Sequence, residues 1–111
     1  MKTKQNFRKA GTMRFIINNL IYETEEMEKM AEGPKWREVS NLWIQAAFPG
    51  KTVGREMPHT LWKSQNGRWL LTWENGYSNY GQAIEESEAK EFLKRHNYTK
   101  YAELFGELPK A

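Results

Sequence analysis

Asn66-Gly67 lies between two apolar-rich runs that together span His59 to Trp73. Asparagine followed by glycine is the pair best suited to the positive backbone angles of a tight primed turn. This stretch is therefore tied to a β-hairpin more firmly than any other part of the chain is tied to one structure. A two-residue turn pairs Ser64 with Trp69, Trp62 with Leu71 and Thr60 with Trp73. Directly opposed residues share a face, so this register predicts an aromatic face carrying Trp62, Trp69 and Trp73. The other face then holds Leu61, Lys63, Gln65, Arg68, Leu70 and Thr72, a mixed and basic set. Glu74-Asn75-Gly76 marks a second turn, and Tyr77 to Ile84 predicts a third strand, weakened by Gly81.

An earlier hairpin is expected from Met13 to Glu23. Asn18-Asn19 tolerates positive φ, and a two-residue turn there pairs Ile17 with Leu20, Ile16 with Ile21, Phe15 with Tyr22 and Arg14 with Glu23. Both faces are apolar, which predicts a hairpin inside the sheet and covered on two sides. Thr24 is placed to cap a short helix, with Glu25 and Glu26 at its positive end. Met27, Met30 and Ala31 share one face of that helix, and Gly33-Pro34 ends it. From Lys35 to Ala47 the recurrence of Trp36, Val39, Trp43 and Ala47 predicts a second helix. Phe48-Pro49-Gly50 stops it, and Lys51 to Pro58 reads as a loop. Near the C-terminus, Ala89, Phe92, Leu93 and His96 form one stripe of a helix from about Glu86 to His96. Asn97 is placed to cap its end, and Thr99 to start a last short helix through Tyr101, Leu104 and Phe105, stopped by Gly106. The sum is an α+β fold, a small antiparallel sheet of hairpins packed against two or three helices. The aromatic hairpin face lies under the Ala89–His96 helix.

With 111 residues the chain is sized for one domain. Residues 1–12 read as a flexible basic arm with little apolar content, and 13–111 as a single α+β domain. Charge is blocked along the chain. Residues 1–14 carry five bases and no acid, residues 15–33 five acids against Lys29, and residues 34–73 six bases against Glu38 and Glu56. The net charge is only +3, so composition alone argues weakly for an anionic partner. No cysteine is present, which excludes disulfides and thiolate metal sites and fits a reducing, cytoplasmic setting. No apolar run approaches the length of a membrane span.

The chemistry-bearing residues form no recognisable catalytic constellation. His59 and His96 are far apart and outside any ligand-spaced cluster, so neither a metal nor a cofactor is expected. Gly50-Lys51-Thr52 lacks the upstream glycines of a phosphate loop. The four serines that follow Thr24 sit in no nucleophile-like setting. Spacing in sequence does not fix whether carboxylates converge in space. The expectation is therefore a binding protein, not an enzyme. Trp62, Trp69 and Trp73 read as core. Trp36 and Trp43 are less constrained, and a site built on them fits a protein interface better than a cofactor pocket. With the basic side chains of Lys51, Arg55, Lys63 and Arg68 they make up the candidate partner-binding set.

Three stretches, Met13–Thr24, Thr60–Leu71, and Ile84–Leu93 followed by Tyr101–Gly106, occur in an order that resembles a family of small proteins. These are carried by plasmids, conjugative elements and phages of Firmicutes, and show an "IINGKxYDT"-like hairpin, an "LYxTKxGxWFL" segment, an "LSxEEAxxWL" helix and a "YxxLFG" ending. The resemblance covers most of residues 13–106 but not Pro34 to Met57. The chain departs from it at Glu85, where the family usually has a Ser or Thr cap, and in a shortened Tyr77–Gln82 connection. Some small proteins of such elements resemble counter-defence factors. The resemblance thus implies a mobile-element accessory protein that binds and inhibits a host protein, a CRISPR nuclease such as Cas9 being one target (anti-CRISPR-like). The alternative is a nucleic-acid-binding module that uses a basic hairpin face around Lys63 and Arg68.

Overall fold

The computed structural model describes residues 12–39 and 42–111, so all of the expected basic arm except Thr12 lies outside the described residues. Two antiparallel sheets and three helices make an α+β fold. The first sheet is the hairpin of β1 (Arg14–Ile17) and β2 (Leu20–Glu23), in the expected register at all four pairs. Asn18 and Asn19 take φ of 52° and 64°, the primed turn that asparagine permits. The Arg14–Glu23 pair closes its open end at 2.6 Å.

The hairpin is not buried inside a sheet. Ile16 is 72% and Ile21 60% exposed, while Tyr22 on the opposite face is buried. Phe15, on the same face as Tyr22, packs onto the larger sheet at Gly81. A Cβ at Gly81 would sit 2.8 Å from the Phe15 ring, so the bare glycine backbone is what lets the hairpin seat. Thr24 starts a 3-10 turn, Thr24–Glu26, but does not cap it. Its buried hydroxyl instead accepts from the Met13 N–H at 2.8 Å, tying both ends of the hairpin together.

The second sheet has the order β3-β4-β5-β6, formed by Glu28–Glu38, Gly54–Lys63, Trp69–Glu74 and Asn79–Ile84. β3 overturns the first expected helix from Glu28 on and the first four residues of the second, and β4 overturns the expected Lys51–Pro58 loop from Gly54 on. The misleading signal has a physical origin. The β3–β4 register shifts between Lys29 and Ala31, a bulge at Met30. Met30 and Ala31 are consequently both buried, and two adjacent buried residues after Met27 imitate a helical stripe. Gly33 and Pro34, which look like a helix stop, belong to this edge strand, where a missing N–H is tolerated. Of the second expected helix only α1 (Leu42–Ala47) forms.

Turn chemistry also shifts the central hairpin. Ser64 accepts from the Gly67 N–H at 3.0 Å and donates its own N–H to Arg68 at 2.8 Å, with Gly67 at φ 82°. This is a three-residue loop ending in a left-handed glycine, not a two-residue turn. The register becomes Lys63↔Trp69, Trp62↔Leu70, Leu61↔Leu71 and Thr60↔Thr72. One residue of slip moves side chains between faces. Trp69 and Trp73 stay together, while Trp62 goes to the other face, half-buried, with its indole N–H donated to Thr72 at 2.9 Å.

α2 (Glu86–His96) and α3 (Tyr98–Phe105) cover the Trp69 face. Ala31, Leu61, Trp69 and Leu71 of the sheet, Ala89, Phe92 and Leu93 of α2, and Tyr101 of α3 are all buried in one core cluster. Asn97 ends α2 and also starts α3, its side chain accepting from the Lys100 N–H in the role expected of Thr99. The same amide donates to the Met30 carbonyl at 2.8 Å, anchoring the helix pair to the bulge. Glu85, at the start of α2, makes no side-chain cap bond.

Candidate functional site

β4 pairs with β3 along its whole length but with β5 only from Thr60 to Lys63. Gly54–His59 and Gly33–Glu38 therefore continue past the rest of the sheet as a two-stranded ribbon, extended one step further by the Val39 N–H donating to Val53 at 2.7 Å. The strands are joined by a 15-residue excursion, 39–53, that contains α1. Connections this long are uncommon in compact domains, and α1 buries none of its described residues. Leu42 is 90% and Trp43 78% exposed, with Phe48 also exposed. Trp36 lies half exposed on the ribbon, its indole over Gly54, where any Cβ would collide with it.

Of the six candidate residues, Trp36 and Arg55 lie on the ribbon, and Trp43 and Lys51 lie in the excursion at its end. The other two lie elsewhere. Lys63 is the last of the ten residues of β4, at the opposite end from Gly54. It shares the core-side face, its Nζ 5.7 Å from the Trp69 ring. Arg68 lies in the exposed loop beyond it. The basic outer hairpin face expected from a two-residue turn does not exist, because the three-residue loop rotates Lys63 out of it.

A second group was not legible as a site. On the face shared with Trp69, Arg37 places its guanidinium carbon 3.4 Å from the centre of the Trp73 ring. It donates from Nε to His59 Nε2 at 2.7 Å and from Nη2 to Gln82 at 3.0 Å. His59 is buried and stacked on Trp73 at 5.0 Å, and Trp73 stacks on Tyr80 at 5.8 Å. Burial lowers the pKa of Arg37 against an opposing pull from Glu88. The period-two series Arg55, Met57, His59, Leu61 is the signal that would have placed His59 on an inward strand face, and Pro58 within it disguised the strand.

Two clefts flank the sheet. One, of about 640 Å³, lies between the hairpin ends at Met13 and Thr24 and the outer sheet face at Thr60, Trp62 and Thr72. The other, of about 470 Å³, lies between Trp36 on the ribbon and Phe92 and His96 on α2. Among the described residues no group of three or more His, Cys, Asp or Glu side chains could hold a metal ion, and no helix is long and apolar enough to cross a membrane. No family model matches this chain, and comparison with curated proteins and with solved structures finds no match in either.

Proposed function

We propose that this protein works by docking onto another protein through the ribbon end. The observation that carries the reading is the long β3–β4 excursion, which holds Leu42, Trp43 and Phe48 in solvent. Aromatic and aliphatic side chains displayed on a protrusion are the anchors from which interface hot spots are made. Lys51 and Arg55 flank them, suited to an acidic rim around an apolar receptor pocket. In line with the family resemblance, the docked protein is a host factor whose activity is blocked, with a CRISPR effector nuclease such as Cas9 as the first target to test. The protein itself is assigned no catalysis.

The test is a guide-directed DNA cleavage assay with purified Cas9. Wild-type protein is expected to block cleavage, and Trp43→Ala and Leu42→Ser to relieve the block while folding normally. Uninhibited cleavage removes Cas9 as the target. Retention of nuclease-resistant partners by both variants, in affinity capture from host lysate, removes the ribbon end as the docking surface.

A nucleic-acid reading is favoured by one observation, the opposed Arg37↔Arg55 pair beside Lys35 on the ribbon, with Lys51 in the excursion at its end. It predicts steeply salt-dependent affinity for bare DNA or RNA, since each neutralised phosphate releases counterions. Protein docking predicts little such affinity at physiological salt.

A further inference from the structure

His59 can hold Arg37 in one protonation state only. Its Nε2 lies 2.7 Å from Arg37 Nε, and a guanidinium N–H only donates, so Nε2 is the acceptor and carries no proton. Its Nδ1 lies 2.7 Å from the Met57 carbonyl, which only accepts, so Nδ1 bears the hydrogen. The two partners fix both the tautomer and the neutral charge. Arg37 in turn reaches across β4 to Trp73 on β5 and Gln82 on β6, and so fastens the ribbon back onto the sheet.

We propose that His59 and Arg37 form an acid-sensitive latch, closed at neutral pH, that releases the β3–β4 ribbon from β5 and β6 when His59 is protonated. A proton added at Nε2 points at the Arg37 N–H. It removes the acceptor and sets two cations at hydrogen-bond distance. The surroundings do not offset this. Lys35 and Arg37 face the ring from β3, and Arg55 lies on β4 opposite Arg37. From α2 come Glu88, which acts on Arg37, and His96, whose ring sits over Gly33 beside His59. β5 and β6 supply Trp73, Tyr80 and Gln82. Glu88 is the only acid in the set. Burial already lowers the pKa of His59, with Arg37 and Lys35 adding to the depression and the Met57 bond opposing it. The latch concerns the ribbon alone, so it stands whether the ribbon docks onto protein, nucleic acid or neither.

The test is an NMR titration of the full chain from about pH 7 to about pH 5, the range over which histidine charge changes. Imidazole nitrogen shifts should show the Nδ1–H tautomer of His59 at the upper end. As His59 takes up its proton, the Trp73 indole resonance should move with it. Amide exchange at Lys35–Val39, corrected for its intrinsic pH dependence, should rise roughly tenfold while Leu71 and Leu93 stay protected. His59→Phe should abolish the transition. Should that variant fail to fold, Arg37→Met gives the complementary result, a higher His59 pKa and a ribbon that exchanges fast at every pH. Protonation of His59 without movement at Trp73, a transition that disappears in His96→Gln instead, or simultaneous opening of ribbon and core would each overturn the latch.

Discussion

The two halves of β4 live under different physics. From Thr60 to Lys63 it is a central strand, flanked by β3 and β5, with Leu61 fully buried beneath Leu93 and Ala89 in the helix-covered core. From Gly54 to His59 it has β3 alone, and the ribbon is held by a cation over an aromatic ring, a buried imidazole and an amide. Apolar burial has no preferred direction and does not depend on protonation. The ribbon contacts require a donor opposite an acceptor, and so depend on protonation state. One strand thus runs from a permanent anchor to a conditional one.

The sharpest way to break this contrast is in the core. Trp69→Ala should lower unfolding free energy by about 3–5 kcal/mol, as large aromatic truncations do, in denaturant melts. A loss below about 1 kcal/mol would mean the helix-covered half is no better packed than the ribbon. Gly33→Ala probes the junction between the halves. Its Cβ would fall 2.2 Å from His96 Nδ1, so a loss of about 1–3 kcal/mol is expected. Most of that should return in the double variant with His96→Ala, since directly contacting sites couple.

The ribbon should show itself through pH. The folded pKa of His59 is depressed, so its contribution to stability is fully present above the unfolded value of about 6.5. That contribution is lost as pH falls from there through the folded pKa, because the unfolded chain binds the proton first. Melts at stepped pH should show this loss in wild type and not in His59→Phe. Smallest of all, Trp43→Ala should change stability by less than about 0.5 kcal/mol, as exposed substitutions do. A larger loss would show that α1 packs on the domain.

Where local chemistry decides structure, the sequence was sufficient. Asn18-Asn19 specified its turn and all four pairs of its hairpin, and the Ala89, Phe92, Leu93 stripe located α2 and the core beneath it. Asn66-Gly67 located a hairpin but not its class. A left-handed Gly67 serves a three-residue loop as well as a two-residue one, and the two loops place Trp62 and Lys63 on opposite faces. β3 was hidden because its bulge at Met30 and its Gly33-Pro34 step erase the alternation that betrays a strand. Trp36 and Arg55 lie on the ribbon, Trp43 and Lys51 lie in the excursion at its end with Leu42 and Phe48, Lys63 and Arg68 lie elsewhere, and no periodicity encodes the exposure of that excursion.

The proline within β3 has one more effect. β3 is the outermost strand of its sheet over all eleven residues, a length that would ordinarily recruit strands from other molecules into shared sheets. Pro34 presents no N–H to such a recruit, the bulge at Met30 twists the edge out of register, and Lys29 and Lys35 place charge on either side of the proline. The residues that conceal the strand from a reader of the sequence therefore also guard it against self-association at high concentration. Replacing Pro34 with a β-former such as valine would give a chain that folds as before and aggregates sooner.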